Sequence, residues 1–156
     1  MDNERKQEFT RRITNANKTE LVVILFDMCF DYLDEVQDYC KKKDIENLKE
    51  AVRKGQQVIR RLEDDLNFEY KLSYDLMSLY AFAEKELVKC LIDLKEVHAL
   101  DVKKILAPIR EGFSEVAKAD TTGPMMNNAE TVYAGMTYGR GSLNEAVDTG
   151  NRGFFA

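Results

Sequence analysis

The chain has no tryptophan, two prolines, one histidine and three cysteines among its 156 residues. Two prolines leave long stretches free of the residue that breaks helices. A single histidine, His98, with no companion His or Cys at ligand spacing, builds neither a zinc site nor a nucleophile-base pair. Cys29, Cys40 and Cys90 are odd in number, widely spaced and set among apolar residues, which makes them buried thiols rather than a disulfide framework. No Glu-x-x-His pair recurs, as it does in di-iron bundles. Gly139-Arg140-Gly141 follows no strand and opens no dinucleotide unit. A convergent polar constellation is thus missing, and the expectation is a protein that is not an enzyme and uses no cofactor or metal.

What is present is charge and apolar surface in nearly helical proportion, 33% charged and 44% hydrophobic residues. The formal net charge of −5 argues against a nucleic-acid binder, which needs a clustered basic surface to neutralise phosphates. The densest basic run, Lys41 to Lys43, falls where a helix should end, and cations there complement the helix dipole. The apolar run Leu21 to Phe26 is far short of the roughly 20 residues a membrane span needs. Residues 1 to 12 alternate acid and base with no apolar core of a signal peptide, so a cytoplasmic location is expected.

Charge density divides the chain. Residues 1–118 hold 24 of 28 acids and 21 of 23 bases, while 119–156 carry six of the eight glycines and no sustained period. A helical domain over 1–118 and an irregular tail over 119–156 follow. Four helices are predicted. The second is clearest, with Ile45, Leu48, Val52, Gly55, Ile59, Leu62 and Leu66 at alternating three and four residues behind an N-cap at Asp44. Gly55 in that seam would let a neighbour approach closely. The third spans about Leu72 to Leu94, with Leu72, Leu76, Leu79, Ala83, Leu87, Cys90 and Leu94 inward. The fourth begins after Asp101 with Val102, Ile105, Ile109, Phe113 and Val116 inward, and Pro108 predicts a kink or a later start.

The first predicted helix runs from an Asn17 cap, with Glu20 at the capping-box position, to about Lys43. Leu21, Val22, Leu25, Met28, Cys29, Tyr32, Val36 and Tyr39 make an ordinary core stripe. Val23, Phe26, Phe30 and Leu33 fall outside it and leave Asp27, Asp31, Asp34 and Asp38 as the one wet edge. A helix apolar that far round either lies centrally between two neighbours or presents an association surface. Short connections make the neighbours antiparallel, giving an all-α, up-down four-helix bundle.

On these residues the chain resembles a known family. Ile13 to Leu33, ITNANKTELVVILFDMCFDYL, is similar to the opening of the flagellar secretion chaperone FliS, in which an extended arm leads into a first helix. Lys43-Asp44-Ile45, Leu66-Asn67 with Lys71-Leu72-Ser73, Leu79-Tyr80 and Glu86-Leu87-Val88 follow in the family's order. The resemblance spans about residues 9–118. Asn17-Lys18 replaces the usual Ser/Thr-Pro, Phe9 stands near the place of an N-terminal Tyr, and Cys90 replaces Ala. The resemblance implies an extended N-terminal arm over 1–17 and a cytoplasmic export chaperone that binds the C-terminal segment of flagellin, prevents early polymerisation and delivers it to the flagellar export gate. The expected groove residues are Ile13 of the arm, Val23, Phe26 and Phe30 of the surplus arc, and Tyr80, which serves either groove or core. The alternative is a structural helical module that forms a homodimer through the same face. Part of the tail is expected to cover that arc.

Overall fold

A computed structural model describes residues 1–125, and the expected covering of the arc by the C-terminal tail lies outside them. Five helices follow one another: α1 (Asn3–Asn15), α2 (Lys18–Lys42), α3 (Ile45–Asp64), α4 (Lys71–Asp93) and α5 (Val97–Ala119). There is no strand among the described residues. Helix α2 packs on α3 and α5, α4 completes the circuit by packing on both of those, and α1 lies against α2.

The start signals act as the sequence indicates. The Asn17 side chain accepts from the Glu20 backbone N–H while the Glu20 carboxylate accepts from the Asn17 N–H, a complete capping box. Asp44 caps α3 by accepting from Asn47. Lys43 adopts a left-handed conformation, and its N–H closes the end of α2 on the carbonyls of Tyr39 and Cys40.

The first difference lies at the N-terminus. The arm expected to be extended is helix α1, capped by Asp2, whose side chain accepts from the Arg5 N–H. Phe9 and Ile13, one turn apart, give it a single apolar face, and both are buried. A 13-residue helix is marginal in isolation, so the docking of those two side chains must stabilise it.

The second difference lies in α5. It starts at Val97, earlier than expected, and continues through Pro108. Proline forfeits only the bond to the Lys104 carbonyl, and Lys104 and Pro108 are both exposed, so water can serve that carbonyl. The inward face is Ala99, Val102 and Leu106, with Ile109 and Phe113 at its edge; Val116 is 57% exposed. On α4, Ser73, Leu76, Tyr80, Ala83, Leu87 and Cys90 point inward, whereas Leu72 sits in the first turn and is exposed.

Leu25, Phe26, Leu33, Val36, Leu48, Ile59, Leu87, Val102 and Leu106 are fully buried where α2 to α5 meet. Gly55 faces that interior: a Cβ there would stand 3.4 Å from Leu87 Cδ1 and 3.8 Å from Tyr32 Cβ. All three cysteines are buried and free, and desolvation pushes the thiols of Cys29 and Cys90 up to about 12. They are inert packing groups at neutral pH. No helix among the described residues is long and apolar enough to cross a membrane.

Candidate functional site

Helix α2 meets different partners around its circumference. Tyr32 faces α3 near Gly55. The surplus arc faces α5: the Phe26 ring lies 5.9 Å from that of Phe113, and Lys103 Nζ stands 6.0 Å from the Phe30 ring centroid. Phe26 also contacts Phe30 at 6.4 Å and Tyr80 of α4 at 6.3 Å. The structure therefore brings Phe26, Phe30 and Tyr80 into one aromatic cluster, as core rather than as an open groove. Phe26 and Tyr80 are 0% and 1% exposed, and Phe30 is half-buried. The reason is that α2 lies centrally and α5 fills the arc. Burial pushes the Tyr80 hydroxyl pKa up, as suits a phenol among rings.

The edge expected to be wet is a seam of ion pairs. Asp27 accepts from Arg12 of α1 at 2.6 Å and from Arg110 of α5 at 2.9 Å and 3.4 Å. Asp31 accepts from Arg5 of α1 at 2.5 Å and Asp34 from Lys103 of α5 at 2.6 Å. The Asp31 bond holds the Arg5 guanidinium more firmly charged, and the Asp27 bond does the same for Arg110. Arg5 pairs late in α2 and Arg12 pairs early, so α1 runs back along α2 as an antiparallel hairpin arm. Both guanidiniums lie over the Phe9 ring, at 4.6 Å and 5.6 Å from its centroid.

Between α1, α2 and α5 remains a cleft of about 470 Å³. Val23, Ile24 and Ala117 supply its apolar part, and Arg11, Arg12, Arg110 and Lys118 its charged rim. The turn between α1 and α2 is stitched to the segment after α5: Asn17 Nδ2 donates to the Thr122 carbonyl, Thr19 Oγ1 to Asp120, and the Met125 N–H to the Ala16 carbonyl. Of the expected groove residues, Val23 lines this cleft and Ile13 is buried on α1. Ile24, Asp27, Arg12 and Arg110 were not foreseen. The available signal was Asp27, the one charge directly behind the apolar run Leu21 to Phe26.

The only histidine lies in the first turn of α5. His98 Nδ1 is 2.9 Å from Glu86 Oε2 and Nε2 is 2.8 Å from Asp93 Oδ2. Carboxylates only accept, so both ring nitrogens donate and the ring is an imidazolium. The Asp93 bond first, and then the Glu86 bond, raises its pKa. Lys89 also donates to Glu86, at 2.5 Å, so the buried carboxylate is fully served. No cluster of three or more metal-ligating side chains occurs among the described residues.

Five helices among the described residues, packed round one core with a cleft of mixed polar and apolar lining between α1, α2 and α5, define an all-helical protein. The family is shown by sequence: the model for the flagellar protein FliS matches residues 1–120, and the chain belongs to that family. The family is one of flagellar export chaperones, which act on protein partners. Comparison with curated proteins returns no match.

Proposed function

We propose that this chain is a cytoplasmic export chaperone that takes up the C-terminal segment of flagellin and keeps it from polymerising before flagellar type III secretion. The family match supports the class of work. The observation that carries the site is the seat of α1: an amphipathic helix lies along α2 beside an unfilled cleft, held by Phe9, Ile13 and ion pairs at its edge. A client segment that folds into an amphipathic helix uses the same seat. Its apolar residues meet Ile24 and Val23, while Phe26, Phe30 and Tyr80 support α2 from beneath. Ile13 belongs to the cover that the client replaces. Ordering the client consumes part of the gross binding energy, so affinity depends on how lightly α1 is held. The client is then handed to components of the export gate.

The alternative, a structural module that dimerises through the surplus arc, is less favoured, because Phe113 of α5 packs 5.9 Å from Phe26 on that face. Calorimetry with a flagellin C-terminal peptide and the full chain tests the reading. Binding at micromolar concentration with a negative heat-capacity change is expected. No binding at that concentration, or a stable dimer in sedimentation that excludes the peptide, refutes it.

A further inference from the structure

Among the described residues, a long exposed apolar stripe lies on α4. Tyr74, Met77, Ala81, Val88 and Ile92 of α4 fall within an arc of about 60° at 100° per residue, over a length of about 27 Å. Tyr74 and Ile92, near its two ends, are 59% and 76% exposed. Glu84, beside this stripe, takes Arg60 of α3 at 3.0 Å, whereas Glu86, on the far side of α4, takes His98 of α5. The stripe therefore runs along the α3 side of α4. Single exposed apolar residues are ordinary; a stripe on one side of a helix, at steps of three, four, seven and four residues and broken only where Glu84 and Lys85 stand, is the pattern of a helix-packing face.

The flanks say what fits. Lys71 and Lys85 lie on one flank of the stripe on α4, and neither forms an ion pair among the described residues. Two uncommitted cations along one apolar seam stand out in a chain of net charge −5. A second copy docking antiparallel would set each lysine flank against itself, because like flanks meet in that arrangement. An acidic partner helix is complementary on both counts.

We propose that the outer stripe of α4 is a second docking surface, for an amphipathic α-helix of a partner protein that carries Asp and Glu beside its apolar face. This surface is separate from the α1 seat and does not depend on the client assigned there. The probe is a synthetic helical peptide of about three heptads with Leu at the core positions and Glu at the flanks, compared with one bearing Lys at the flanks. In fluorescence anisotropy with the full chain, the Glu peptide should bind at micromolar concentration and at least about tenfold more tightly than the Lys peptide. Val88→Glu with Ile92→Glu, both exposed, should weaken it by more than about tenfold at an unchanged melting temperature. Lys71→Glu with Lys85→Glu should reverse the preference between peptides. Equal affinity for the two peptides, or full binding by the Val88→Glu, Ile92→Glu chain, overturns the proposal. So does sedimentation showing a wild-type dimer that Val88→Glu dissolves, which would assign the stripe to a second copy.

Discussion

Replacing Phe9 with alanine separates α1 from the rest of the molecule. The ring is 2% exposed and clamped beneath the guanidiniums of Arg5 and Arg12. In a packed core, Phe→Ala costs about 3–5 kcal/mol. Here the loss is capped, because α1 is joined to α2 by a short turn and can leave the surface while the other helices stay assembled. Its anchors are two side chains worth about 1.5–3 kcal/mol each on burial, and its ion pairs lie at a partly wet edge where each contributes about 1 kcal/mol or less. Against these stands the ordering of a short helix, so the net docking free energy is a few kcal/mol and Phe9→Ala removes most of it. Hydrogen exchange should show protection lost over residues 3–15 and retained in α2 to α5, with the main melting transition moving by a few degrees at most. If α1 occupies the client's seat, every 1.4 kcal/mol of lost docking energy tightens flagellin-peptide binding about tenfold, until α1 is fully released. Protection lost throughout the molecule would show that α1 is part of the cooperative core. Unchanged or weaker peptide binding would refute competition and place Phe9 within the client site.

Other perturbations have opposite signs. Phe26→Ala empties the centre of the ring cluster with Phe30, Tyr80 and Phe113 and should cost about 3–5 kcal/mol in denaturant unfolding, with every helix affected together. Gly55→Ala should stabilise by up to about 1 kcal/mol, because the new methyl meets Leu87 at an ordinary contact distance and a helix-interior glycine is replaced; a loss of more than that would mean α3 cannot yield at this point. His98 has its pKa raised in the folded chain, by Asp93 first and Glu86 next. Its contribution is therefore complete below the unfolded value near 6.5 and is lost as pH rises through the higher folded value. His98→Gln should lower stability by about 1–2 kcal/mol at pH 6 and by much less at pH 9. An equal loss at both values would refute the imidazolium assignment.

Local signals were legible wherever one residue decides the conformation. Asn17 with Glu20 and Asp44 name the starts of α2 and α3, because a cap is a contact between neighbours in sequence. The heptad seam of α3 was legible from Leu48 to Leu62, whereas Ile45, in the first turn, is 40% exposed and Leu66 lies beyond the end of the helix at Asp64. The α4 face was displaced toward Leu72 and Leu79, and in α5 stepping from Val102 to Ile105 missed Leu106, because a three-residue step and a four-residue step are equally available where aliphatic residues are dense. Partner choice was not legible. Nothing in Val23, Phe26 and Phe30 distinguishes a face awaiting a client from one filled by Phe113, and the arm's helix rests on only two apolar side chains among many charges.

The stitching at the turn between α1 and α2 ties the two ends of the described chain together. Thr122 and Met125 are bonded to Asn17 and Ala16, the residues about which α1 would pivot. A swing of α1 turns the Ala16 carbonyl away from the Met125 N–H. Movement of α1 is thereby felt at Thr122 and Met125 through these hydrogen bonds, without any change in the packed interior.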